Sequence, residues 1–136
     1  MSDEIMSQLK PSMRTPLGRV RGLGSARSGT EHFWLQRVTA VANIPLSLFV
    51  VGLIIATAGS NYSAVKATLG APIVAIPLIL FIISAAYHMR LGMQMIIEDY
   101  VPAEGPRIVL LLANTFFSAI VGLASIFAVL KLSFGV

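Results

Sequence analysis

From Pro72 to Ala86 this chain runs for fifteen residues without a charge. Two further apolar runs flank it, from Val38 to Ala58 and from Ile108 to Leu130. A bilayer core needs about 20 apolar residues of α-helix to cross it. The runs therefore predict three transmembrane helices, over about 38–58, 71–97 and 108–130. Composition agrees, because only 12% of the residues are charged and the mean hydropathy is +0.82. Soluble domains carry about twice that share of charge.

The expected fold is all-α, a three-helix membrane domain over 30–136 preceded by a polar, basic arm over 1–29. So small a chain buries little by itself, which predicts a helical bundle shared with partner subunits. Pro45 and Pro77 lie inside predicted spans, where membrane helices tolerate them. Pro72 suits a first helical turn. Two prolines in VPAEGPR, positions 101–107, end the second helix. The last span offers Ala113, Ser118, Ala119, Gly122, Ala124 and Ser125 for close helix contacts. The stretch 59–70, GSNYSAVKATLG, reads as a loop. Upstream, Thr30 is a candidate N-cap, and HFWLQR a turn that sets Phe33 and Trp34 at headgroup depth.

Charge sets the orientation. Six of the ten Lys and Arg residues fall in the first 37 positions. The 59–70 stretch has Lys66 alone, the second turn Arg90 and Arg107, and the end Lys131. The positive-inside rule then puts the arm and the second turn in the cytoplasm and the C-terminus in the periplasm. In such a chain the basic arm reads as topology and contact with lipid, not as a nucleic-acid site. There is no cysteine, which excludes disulfides, thiolate-held clusters and Cys-attached haem. The start, MSDEIMSQLK, has neither a secretory signal nor the look of a transit peptide. That favours a bacterial inner membrane, although a processed organellar chain would look the same.

One stretch stands out against this background. HMRLGMQMIIEDYV, positions 88–101, opens with a histidine about 15 Å from the end of its predicted helix. An ionisable group at that depth is a functional-site hypothesis by default. Three readings fit His88: an axial haem ligand, a proton relay, or a histidine bonded to a neighbouring helix. Ser84, His88, Gly92, Met95 and Asp99 share one helix face. His88 and Asp99 are about 16 Å apart along it, with a net turn of roughly 20°. Gly92 leaves a notch beside the histidine that suits a flat macrocycle, or ordinary helix packing. Arg90 is set a third of a turn off that face, either snorkelling to headgroups or facing an anion in the bundle. Arg37, at the mouth of the first helix, has the same two readings, the anion being a haem propionate. Asp99 and Tyr100 together can hydrogen-bond a quinone carbonyl and supply protons, or simply end the helix.

The stretch resembles the second-helix signature of the succinate dehydrogenase hydrophobic membrane anchor subunits. That pattern is a histidine, a glycine four residues on, then Asp-Tyr, matched by His88, Gly92, Asp99 and Tyr100. GTEHFWLQRVTA, positions 29–40, resembles the family's Gly-x-x-x-Phe-x-x-x-Arg-x-Thr-Ala. RTPLGRVRGLGSA in the arm looks like alphaproteobacterial members. The likeness covers about residues 29–130.

The resemblance implies that His88 is one axial ligand of a haem b whose other ligand comes from a cytochrome b556-type anchor subunit. It implies Arg37 at a haem propionate and Gly92 packed on the haem. Tyr100 would hydrogen-bond ubiquinone, with Asp99 beside it. A flavoprotein subunit and an iron–sulfur subunit would oxidise succinate and deliver the electrons. The family often has His-Asp before the Phe, where this chain has Glu31-His32, so no role carries over to His32. A transporter component is disfavoured, because three spans show no repeated half, and two alternatives remain at this point. One is a fumarate reductase anchor using menaquinone; the other is a structural or assembly protein with no redox group.

Overall fold

The computed structural model describes residues 28–135, together with Thr15 and Leu17. The rest of the arm, and the irregular structure expected for it, lies outside the described residues. Four helices follow one another: α1 (Ser28–Thr57), α2 (Tyr62–Gly70), α3 (Pro72–Tyr100) and α4 (Glu104–Phe134). Three of them are long and apolar enough to cross a membrane, over Thr30–Thr57, Pro72–Tyr100 and Glu104–Phe134. The all-α, three-span architecture is the one expected from the apolar runs.

The helices overrun the predicted spans. α3 has 29 residues, about 43 Å of helix, against a hydrocarbon core of about 30 Å. Its ends therefore stand in the headgroup layers. α1 begins ten residues before Val38, so Thr30 lies inside the helix rather than capping it. HFWLQR is helical as well, with Phe33 and Trp34 packed edge to face at 6.1 Å between centroids. Charged residues stop an apolar run in the sequence, but they do not stop a helix that leaves the lipid into water.

The stretch expected as a loop holds α2. Asn61 caps it, its Oδ1 accepting from the Ala64 N–H at 2.9 Å and from the Ser63 hydroxyl at 2.8 Å. Gly59, at φ +78°, supplies the left-handed turn between Thr57 and this cap. Ala71 then serves as the C-cap of α2 and the N-cap of α3, with Pro72 opening α3. α4 has Pro106 in its first turn and ends on Gly135 in the left-handed conformation, whose N–H bonds Lys131 O at 3.1 Å.

α3 is the central helix, packed on α1 along one side and α4 along another. Ser118 and Gly122 are buried in the α4 contact. A Cβ on Gly122 would lie 3.4 Å from the Ala86 Cβ, so glycine there lets the two backbones close up. α2 lies against α4 at the other end, where a Cβ on Gly70 would stand 2.7 Å from the Leu132 carbonyl oxygen.

Little else is covered. Among the described residues the buried apolar side chains are Ala75, Leu91, Ile97 and Val129. Leu48, Ile55, Ile73 and Phe127 stand more than two-thirds exposed. Such a surface is stable only against lipid or other apolar helices.

Candidate functional site

His88 lies about 3 Å along the axis from the midpoint of α3 (Pro72–Tyr100), which puts it near mid-membrane. Its ring faces α1. The Nδ1 atom is 3.0 Å from the Thr39 hydroxyl. One turn earlier on α3, the Ser84 hydroxyl donates to the Thr39 carbonyl at 3.3 Å. One turn later Gly92 faces Gln36, the place of its missing Cβ being 3.8 Å from Gln36 Nε2. Further on, Met95 joins Leu91, Gln94 and Glu98 in lining a cavity of about 840 Å³ whose α1 wall is His32, Phe33, Gln36 and Arg37. Four of the five residues read onto that face, Ser84, His88, Gly92 and Met95, turn to α1, while Asp99 is exposed at the end of the helix. The notch at Gly92 opens onto a glutamine amide.

The helix facing His88 carries a polar stripe that the sequence reading missed. Gln36, Thr39 and Asn43 recur at i, i+3 and i+7 on α1. Gln36 Oε1 and Asn43 Oδ1 are buried and have no hydrogen-bond partner among the described residues. Acceptors left unpaired inside a membrane bundle are costly. The signal was available: three polar side chains on one stripe of an otherwise apolar helix.

Arg37 is exposed, its guanidinium 4.9 Å above the Phe33 ring. It lines the same cavity as His32 and Glu98. Glu98 accepts from Gln94 Nε2 at 2.8 Å. Asp99 and Tyr100 are both exposed at the end of α3, Tyr100 at 80%. Both belong to the helix rather than to the turn after it.

Arg90 sits on another side of α3 from the one expected. Two residues beyond His88 is about 200° of helical rotation, not a third of a turn. Its Nε donates to the Thr115 hydroxyl at 3.3 Å, and its carbonyl accepts from Asn114 Nδ2 at 2.9 Å. Both partners are on α4, beside a cavity of about 240 Å³. Arg90 therefore ties α3 to α4 and does not face the His88 site. Replacing Asn114 by Leu should loosen this tie by roughly 0.6 kcal/mol, and by at most about 1.7 kcal/mol. A lower thermal midpoint in detergent is the expected readout; an unchanged midpoint would contradict the tie.

Among the described residues no three His, Cys, Asp or Glu side chains converge. His88 is therefore the one ligand of that kind that the described residues bring to this point of α3. The residues fit a porphyrin-held metal. The histidine has one nitrogen engaged and Nε2 free of hydrogen bonds among the described residues. Polar side chains, Thr39 and Ser84, flank it, and Arg37 lines the cavity further along the same side.

Fold and site together define a class: a small three-span membrane subunit, with an imidazole at mid-membrane and a phenol and a carboxylate at one surface. A match to the family described as succinate dehydrogenase/fumarate reductase transmembrane subunit runs over residues 11–122. The succinate dehydrogenase hydrophobic membrane anchor subunit of Rickettsia bellii is 36% identical over 85% of this chain and 93% of its own. The protein of that name from Paracoccus denitrificans is 30% identical over 89% and 93%. The succinate dehydrogenase membrane anchor subunit of Reclinomonas americana is 35% identical over 61% and 72%. No solved structure matches the chain. The chain belongs to the succinate dehydrogenase/fumarate reductase transmembrane subunit family, among the hydrophobic membrane anchors of succinate dehydrogenase.

Proposed function

We propose that this chain anchors a succinate dehydrogenase in the inner membrane and builds half of a haem b site and part of a ubiquinone site. His88 is one axial ligand, and a cytochrome b556-type anchor subunit supplies the other. Arg37 meets a propionate, and Gly92 leaves room beside the ring. Tyr100 and Asp99 form this chain's share of the quinone site. A flavoprotein and an iron–sulfur subunit complete the complex, with the N-terminus cytoplasmic and the C-terminus periplasmic. Succinate itself is oxidised on the soluble subunits, since this chain has no cysteine for a cluster and no flavin motif.

The observation that carries the reading is the half-engaged imidazole of His88 near the middle of α3, on a chain of this family. Haem b, when bound, offers a one-electron store in the membrane. Each residue here does something simpler. His88 holds the iron at a fixed depth. The Tyr100 hydroxyl donates to a quinone carbonyl and orients it. Asp99, beside it in the water layer, relays protons, of which ubiquinone takes up two along with two electrons. The exposure of both residues suits a site completed by neighbouring subunits.

The relatives favour succinate oxidation over fumarate reduction, because they are named as succinate dehydrogenase anchors. A tag on this chain tests the assembly. It should draw three partner chains and succinate:ubiquinone reductase activity out of solubilised membranes. A chain that emerges alone and stable would return it to the structural class.

A further inference from the structure

We infer that Thr39 is a positioning residue for His88, its hydroxyl accepting the imidazole Nδ1 proton so that the Nε2 lone pair is presented to a metal. This rests on the haem reading above. The argument begins with one proton. Thr39 Oγ1 lies 2.7 Å from the Leu35 carbonyl oxygen and 3.2 Å from that of Gln36. A threonine hydroxyl has a single hydrogen, and the short contact to Leu35 takes it. What remains toward His88 is a lone pair. The 3.0 Å contact to Nδ1 can then be a hydrogen bond only if Nδ1 carries the hydrogen.

A neutral imidazole has one N–H and one lone pair. With the N–H on Nδ1, the lone pair is on Nε2, and that is the nitrogen able to bind iron. Donation to the Leu35 carbonyl polarises the hydroxyl and makes it a better acceptor. The position of the hydroxyl is itself held. Its residue is locked to α3 a second time through Ser84, whose hydroxyl bonds the Thr39 carbonyl at 3.3 Å. Two side chains one turn apart on α3 thus grip one residue of α1, which fixes the plane of the ring as well as its tautomer. Outer partners of this kind raise the basicity of a ligand, and their loss costs about 10–100-fold in metal affinity. A more basic ligand favours the oxidised metal, so Thr39 also holds the haem potential down.

The test uses the tagged complex carrying Thr39→Val, Thr39→Ala or Thr39→Ser. Haem retention through detergent dilution and the haem midpoint potential are measured beside dye-coupled succinate oxidation. Val and Ala should lower haem affinity about 10–100-fold and raise the midpoint, with dye-coupled oxidation kept, while Ser behaves as wild type. Wild-type affinity and potential in Thr39→Val would overturn the inference. So would equal losses in Ser and Val, or failure of both Val and Ala to assemble, since either assigns Thr39 to packing. The haem reading fails separately: in that case the wild-type complex itself carries no b-type haem.

Discussion

Replacing His88 by Leu should strip the b-type haem from the complex while sparing succinate oxidation. The side chain is half-buried on α3, and its Nδ1 is already committed to Thr39. Removing the direct ligand leaves any porphyrin with the partner's ligand alone. An outer hydrogen bond is worth about 10–100-fold in affinity, and a direct ligand is worth more. Haem content should therefore fall below about a tenth of wild type under dilution. Leucine is apolar and of similar bulk, so the α1–α3 contact should survive apart from the Thr39 hydrogen bond. Dye-coupled succinate oxidation, which needs neither haem nor quinone, should stay at the wild-type rate. Full haem content in the variant would remove His88 from the site. Loss of dye-coupled activity as well would show that the leucine disturbs assembly.

The second large effect is expected at the other end of the helix. Tyr100→Phe deletes one hydroxyl from a side chain that is 80% exposed, so folding has little reason to notice. If that hydroxyl donates to the quinone carbonyl, it acts as the charge on that oxygen develops. A positioned donor to a developing oxygen charge contributes about 10²–10³-fold. Ubiquinone reduction driven by succinate should drop by about 10²-fold or more, again with dye-coupled oxidation intact. Equal rates of quinone reduction would end the role of Tyr100. The pair of variants also separates the two sites. His88→Leu acts on haem content and Tyr100→Phe on quinone turnover, although both residues lie on α3.

Spacing makes that common helix legible in the sequence. The period of 3.6 puts Ser84, His88, Gly92 and Met95 on one stripe, and three of these meet α1 through Thr39 and Gln36. The identity of the facing residues was not legible. Thr39 touches His88 because of how α1 and α3 register against each other, and a pattern within one helix carries no information about that. Arg90 shows the same limit from the other side. Its rotation of about 200° from His88 turns it to α4, where its partners Asn114 and Thr115 lie 24 and 25 positions further along the chain.

The spans were legible because lipid permits only long uncharged runs. Their ends were not, since Glu31, His32 and Arg37 are helical in water just as Val38 is in lipid. α2 escaped for a different reason. It has nine residues, too short for a period to show, and its serine, lysine and threonine look like a loop. Only Asn61, read as an N-cap, would have revealed it.

The most direct measurement of the central claim is the haem content of the complex purified through a tag on this chain. Extracted and assayed as its chemically reduced pyridine complex, it should yield about one b-type haem per copy of the chain, because one His88 supplies one axial position. A pure, succinate-oxidising complex with no b-type haem would contradict the account.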